Sequence, residues 1–222
     1  MVTRGSPRSL ARRRFWAESS GLALTEMLLV FPIFIFVVGA MIEFGTMMFQ
    51  WNQTVKAMQL GARLAAVSSP LTDISALNIY TAAVAPGDPA PLEGLSVSCG
   101  AGTTACDATE LARLLTGGDG CGDLSTGVSG ICDVAPFIGA ENLRITYYRS
   151  GLGYVGRPFG PVVSITLEVR NLNFDFLLLD DLSRFFARDE DPVLGAIAIP
   201  AHPVTITSED MSSCADPEDC EA

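Results

Sequence analysis

The 222-residue sequence contains a single histidine, His202, and the stretch Ala201-His202-Pro203-Val204-Thr205 around it holds no nucleophile motif. There is no Walker loop, and no C-x-x-C pair marks a zinc site. The segment Gly127-Val128-Ser129-Gly130-Ile131 has isoleucine where a nucleophile elbow needs glycine. A cell-envelope enzyme therefore rests only on a glycine-rich loop carrying Asp119 and Asp123. Oxygen-rich loops of this kind bind calcium, but the EF-hand spacing is absent and a solvated turn is the plainer reading. The expectation is a protein that is not an enzyme, with no cofactor and no metal. Charge is scarce as well, at 18% of residues, and none falls between Met27 and Ile42. After residue 50, nine basic residues stand against twenty-two acidic ones. No basic stripe is available for counterion release, so nucleic acid is not an expected partner.

What the sequence does have is an apolar run behind a cluster of arginines. Arg4, Arg8, Arg12, Arg13 and Arg14 precede it, with Glu18 the one acid there. Positive residues are retained on the cytoplasmic side, so the N-terminus is expected inside and the chain beyond about residue 45 exported. Leu22 to Ile42 spans about 31 Å as a helix, close to the hydrocarbon thickness of a bilayer. Trp16 and Trp51 fall at its two ends, where indoles prefer to lie. The expectation is a single-pass membrane protein with its main domain periplasmic or extracellular.

Cysteine is absent from the first 50 residues, whereas Cys99, Cys106, Cys121, Cys132, Cys214 and Cys220 all follow. An even number on the exported side favours disulfides over buried free thiols. Pairing of neighbours closes the loops 99–106, 121–132 and 214–220, one of about 15 connectivities that six cysteines allow.

A basic start followed by an apolar run is also how a secretory signal reads, and Val38-Gly39-Ala40 offers a poor cleavage site. The apolar pattern, however, continues past the membrane. Phe44, Met47, Met48, Trp51, Val55, Met58, Ala62, Ala65 and Ala66 recur at helical spacing, with Lys56, Gln59 and Arg63 off the stripe. A signal peptide has no need of that extension. A helix over residues 22–67 is about 69 Å long, and Ser68, Ser69 and Pro70 end it. Such a rod, buried in lipid for half its length and amphipathic for the rest, is the stalk of a filament subunit or a relative of one.

These residues carry a family resemblance. The arginine-rich segment before Gly21, then Leu22-Ala23-Leu24-Thr25-Glu26, the apolar core with Pro32, Ile42-Glu43-Phe44-Gly45 and Gly61-Ala62-Arg63 resemble the TadE-like proteins of the tight-adherence (Flp) pilus system. The resemblance covers roughly residues 12–67. It implies a bond, Gly21–Leu22, at which a prepilin peptidase cuts, with a glutamate five residues beyond. Met27 departs from the pattern, since Tyr or Phe usually follows that glutamate in pseudopilins of the system. Relatives that share the helix and stay uncut supply the alternative, an anchor presenting an exported binding or sensing domain. The partners implied are other pilin-class subunits, the pilus assembly platform of the bacterial inner membrane, the peptidase and membrane lipid.

An ionised carboxylate in lipid costs several kcal/mol unless it is paired, so Glu26 and Glu43 call for explanation. By resemblance to pilins, cutting after Gly21 gives Leu22 an α-amine that Glu26 neutralises in the assembled register, a positional check rather than raw stabilisation. The other reading solvates Glu26 among headgroups near Arg14. For Glu43, solvation at the exported interface is the simpler expectation, and an assembly role the sharper one. Pro32 lacks an N–H and leaves the Leu28 carbonyl unpaired, which predicts a kink.

Three segments follow: a basic leader over 1–21, a transmembrane and stalk helix over 22–67, and one exported domain over 68–222. In the last, Asp107 is placed to cap a helix over "ATELARLL", with Glu110 as a capping-box partner. "LSVSC", 142–150 and 161–174 read as strands, the latter two joined by a hairpin connection. "ALNIYTAAV" and "FLLLDDLSRFF" read as short helices, and "AIAIPAHPVTIT" as a final strand that its prolines break or push to an edge. The acidic tail beyond Ser208 reads as a stapled loop, and the run Asp189-Glu190-Asp191 as solvated surface. The fold class expected is α+β, a long N-terminal helix followed by a small antiparallel sheet, with the outline of a pilin.

Overall fold

The apolar run folds as the helical spacing requires. In a computed structural model, helix α1 spans Ser20–Val67 and runs without interruption through Pro32. The structure describes residues 20–77, 85–91, 94–123, 125, 127–156, 162–174, 176, 179, 197–199, 203–208 and 211. The chain divides into two compact units, residues 1–46 with 175–196, and residues 47–174 with 197–222. The fold is α+β, an apolar N-terminal helix followed by an antiparallel sheet and two disulfides.

In the second unit, strands β1 (Ser96–Gly100), β2 (Leu143–Leu152) and β3 (Val162–Val169) follow one another along the chain. β4 (Asn173–Phe174), β5 (Ile197–Ala198) and β6 (Val204–Thr207) complete the set. β1, β2, β3 and β6 form one antiparallel sheet in that order, while β4 pairs with β5. The proline-bearing stretch near the end breaks into β5 and β6, and β6 lies at the sheet edge, where a proline-flanked strand is tolerated.

Alternation decides which face is covered. Val163, Ile165, Leu167 and Val169 of β3, and Leu143, Ile145, Tyr147 and Arg149 of β2, are buried. The opposite face is lined by hydroxyls. Ser98, Thr146, Thr166 and Thr205 stand in one cross-strand row, with Ser98 Oγ 2.9 Å from Thr146 Oγ1 and Thr166 Oγ1 2.9 Å from Thr205 Oγ1. Against the apolar face packs the last part of α1, whose Ala57, Met58, Ala62, Ala65 and Ala66 share one core with Leu143, Ile145, Tyr147, Ile165 and Leu167. Thr54, also buried, satisfies its hydroxyl within the helix by donating to the Gln50 carbonyl at 2.9 Å.

The chain leaving α1 is fastened through Tyr147. This side chain is fully buried, and its Oη accepts the Leu71 N–H at 3.0 Å. The Leu71 carbonyl in turn accepts the N–H of Asp107 at 2.7 Å. Burial pushes the Tyr147 phenol up to about 12 from its ordinary 10.0, against the lowering effect of the Leu71 hydrogen bond. Because the folded value lies above the unfolded one, the stability this gives is complete below pH 10 and is lost as pH rises toward 12. The loss amounts to about 3 kcal/mol at most. Denaturation of the detergent-solubilised chain at pH 9 and pH 11.5 checks this. Tyr147→Phe should flatten that slope, while costing about 1–3 kcal/mol at pH 9 by orphaning the Leu71 N–H.

Helix α2 (Ala108–Thr116) starts as expected, with Asp107 accepting from Thr109 N at 2.9 Å and Glu110 N at 3.1 Å. The capping box expected of Glu110 needs the Asp107 N–H as its second half, and that N–H is bound to Leu71. Gly117 closes α2 at φ 74°, and a Cβ there would meet the Val128 carbonyl oxygen, so only glycine fits. A further short helix, α3 (Ile131–Val134), follows the glycine-rich loop. Of "ALNIYTAAV" only the first two residues are described, in a 3-10 turn at Ser75–Leu77, and the rest lies outside the described residues. Most of "FLLLDDLSRFF", and the tail with Cys214 and Cys220, lie outside the described residues.

Candidate assembly interface

Helix α1 presents its sequence-predicted residues in three different settings. Its first part is apolar on all sides and almost wholly exposed. Leu24 and every residue from Met27 to Val38 except the half-buried Pro32 are exposed, Leu29 at 75%. A helix apolar all round is the kind that lipid or neighbouring helices cover. Among the described residues, this is the one helix long and apolar enough to cross a membrane. A shallow groove of about 410 Å³ lies along it, lined by Leu28, Leu29, Pro32, Ile33 and Phe36. Gly21 and Leu22 fall in the first turn, Gly21 exposed with open space around it, and Glu26 is exposed one turn later.

The second setting is that of Glu43. Solvation at an interface is the simpler sequence expectation, but Glu43 is only 3% exposed. Its Oε1 accepts the backbone N–H of Leu179 at 3.3 Å, within the first unit. Gly39, one turn earlier on the same side, is buried too. Neighbours on other sides, Met41, Ile42, Phe44 and Gly45, are exposed. Leu179 had no signal in the sequence that linked it to Glu43, because a contact made through a backbone N–H has no side-chain signature.

The third setting is the Gly61-Ala62-Arg63 motif, in the second unit. A Cβ on Gly61 would lie 2.6 Å from Ile131 Cδ1 and 2.9 Å from Leu167 Cδ2, so the glycine sets how closely α1 approaches α3 and β3. Ala62 is buried beside it and Arg63 is exposed. Gly61→Leu is expected to cost about 3 kcal/mol by overpacking. Gly61→Ala should cost less, because helix propensity returns about 1 kcal/mol and the atoms it meets are side-chain ends. Urea midpoints of the two variants check the order.

The remaining candidates serve the fold. Disulfides join Cys99 to Cys106 and Cys121 to Cys132, two of the three neighbour pairs, with no free cysteine among the described residues. In the glycine-rich loop Asp119 Oδ2 accepts from Ser125 Oγ at 2.8 Å, and Asp123 Oδ1 from Ser125 N at 3.0 Å. Both acids thus meet at one serine, a turn arrangement. No cluster of three or more His, Cys, Asp or Glu stands together among the described residues.

Residues 21–63 match the model of the family described as TadE-like protein. That stretch of the helix is TadE-like. The match covers about a fifth of the 222 residues and takes in Gly21, Glu26, Pro32, Glu43 and the Gly61-Ala62-Arg63 motif. Comparison with curated proteins and with solved structures finds no match to the chain. The TadE-like segment therefore begins on the bare apolar part of α1 and ends where α1 meets the sheet of the second unit.

Proposed function

We propose that this protein is a membrane-anchored, pilin-like component in the assembly of tight-adherence pili. The observation that carries the reading is the TadE-like match over residues 21–63, lying on a helix whose first part offers apolar side chains on every side. In this reading the N-terminus is cytoplasmic, α1 crosses the inner membrane, and the disulfide-bearing domain stands outside. Two formed disulfides support an oxidising compartment for that domain. The first part of α1 packs with other pilin-class helices at the assembly platform. A prepilin peptidase cuts Gly21–Leu22, and Glu26 meets the new α-amine of its own or an adjoining subunit. Intact mass and N-terminal sequencing of the protein from native membranes, with and without the peptidase, test the processing step. A start at Leu22 that depends on the peptidase is the expected result. A start at Met1 in both strains would replace the processed subunit by an uncut anchor presenting its exported domain.

A further inference from the structure

The two edges of the four-stranded sheet are finished differently. At the β1 edge, Arg149 N–H bonds to the Leu95 carbonyl and Ala101 N–H to the Leu143 carbonyl. Odd-numbered residues of β1 therefore turn their backbone to β2, and Ser96, Ser98 and Gly100 turn theirs outward. The chain's own loop takes up that edge. Gly100 N–H donates to the Thr104 carbonyl at 2.8 Å, and the Gly100 carbonyl accepts from Thr103 N at 2.9 Å. Thr104 Oγ1 donates to the Ser98 carbonyl at 3.2 Å, and the Cys99–Cys106 disulfide closes the loop.

The β6 edge has no such cover. Ser208 N–H bonds to the Val163 carbonyl at 2.7 Å, and the pairings of Ile206 with Ile165 and Val204 with Leu167 continue that register. Val204 and Ile206 thus turn their backbone to β3, while Thr205 and Thr207 turn theirs away. Both threonines are exposed, and no hydrogen bond reaches their outward backbone groups among the described residues. Open edges are commonly guarded by charge, a bulge or a proline. Val204-Thr205-Ile206-Thr207 carries no charge and keeps one register against β3, and Pro203 stands at the next outward position.

We propose that the β6 edge docks β6 of a second copy of this chain, antiparallel, about a twofold axis at Ile206. In that register the strand is complementary to itself. Thr205 lies opposite Thr207 of the other copy, and each such pair exchanges two N–H···O bonds. Their hydroxyls extend the row in which Thr166 Oγ1 and Thr205 Oγ1 already stand 2.9 Å apart. Ile206, half-buried against the core, meets its own counterpart on the apolar face. A shift of one residue sets hydroxyls on the apolar face. A register with Thr205 opposite Thr205 brings Pro203, which has no N–H, against Thr207. Two chains of net charge −11 repel over most of their surface, and an uncharged strand is where they approach at least cost. Four residues a side make a small contact, so the pairing draws on copies held in one membrane at high effective concentration. It rests on the membrane-anchor part of the proposed function and is independent of the pilus part.

Cysteine cross-linking of the full-length protein in native membranes, with copper phenanthroline as oxidant, tests the proposal. Two copies of Ile206→Cys face each other in a non-hydrogen-bonded pair with Cα atoms about 4.5 Å apart, within disulfide range. A reducible product of twice the chain mass should form, at least about ten times more than in wild type or in Thr205→Cys, whose cysteines stand about 8–9 Å apart. Thr205→Pro removes an outward N–H and no backbone bond to β3. Added to Ile206→Cys, it should abolish the product and leave the urea midpoint unchanged. Absence of the dimer from Ile206→Cys protein that carbonate-washed membranes retain would overturn the proposal. Equal linking by Thr205→Cys, a dimer that survives Thr205→Pro, or a product joining the chain to a different protein would do the same. Release of the protein from carbonate-washed membranes would overturn the anchor reading and this pairing with it.

Discussion

Glu26→Ala is expected to leave the protein in the membrane and to abolish its contribution to pili. Glu26 is exposed on a stretch of helix whose neighbours on every side are apolar. Removing its charge lowers the cost of burying that stretch in hydrocarbon, so insertion should be unchanged or improved. In the proposed reading, what the substitution removes is the partner of the α-amine that cutting at Gly21–Leu22 would create. A pair of opposite charges out of water is satisfied only when both partners are in place, and losing one leaves the other uncompensated at a cost of about 3–5 kcal/mol. That is a factor of roughly 150 to 5,000 in an assembly equilibrium. Glu26→Gln should fail as well, because an amide does not neutralise an amine, and Glu26→Asp should recover part of the output. Sheared pili measured by immunoblot, beside carbonate-washed membranes for the inserted protein, give the two readouts. Normal pili in Glu26→Ala cells would remove the register role.

The second large effect concerns the disulfides. Cys99 is wholly buried in β1, and its bond to Cys106 ties that strand to the residue just before the α2 cap. Cys121–Cys132 closes the glycine-rich loop onto α3, where Asp133 accepts from Gly122 N at 2.6 Å and Gly130 N at 2.7 Å. Each loop is short, its cysteines 7 and 11 positions apart in sequence, so each bond removes about 2.5–3 kcal/mol of unfolded-state entropy. Losing both should cost about 5 kcal/mol, comparable with the entire stability of many domains. Cys99→Ala with Cys106→Ala should be the more damaging pair, since it also hollows the core at Cys99. Urea titration of the two double variants and of the reduced protein checks this. A reduced protein with an unchanged midpoint, its thiols verified by alkylation and mass, would contradict it.

How legible these features were in the sequence differs from one to the next. The long helix was readable because an apolar run followed by a 3.6-residue stripe has few other solutions, and Met58, Ala62, Ala65 and Ala66 of that stripe are core residues. Phe44, at the head of the stripe, is exposed, while Thr54 and Ala57, outside it, are buried. The covered face is wider than an apolar count shows, because a threonine that bonds its own helix and a small alanine can both lie against a sheet. β3 was plain from its alternation. The two-residue ladder of β4 and β5 and the one-turn α3 are too short to carry a period, and strand order depends on non-local pairings such as Ser96 with Tyr148 and Ser164 with Thr207. Local capping was half legible: Asp107 caps α2, but its own N–H goes to Leu71, more than thirty residues earlier. Glu43 shows the same limit in the candidate interface. Its charge marked it, and its partner, a backbone N–H at position 179, left no trace in the residue types.

The central claim is that this chain takes part in building tight-adherence pili. Electron microscopy of host cells lacking its gene, beside the same cells carrying it on a plasmid, tests that claim most directly. The account predicts that pili disappear, or fall to a small fraction, in its absence and return with the wild-type gene. Wild-type numbers of pili on cells without the protein would contradict it.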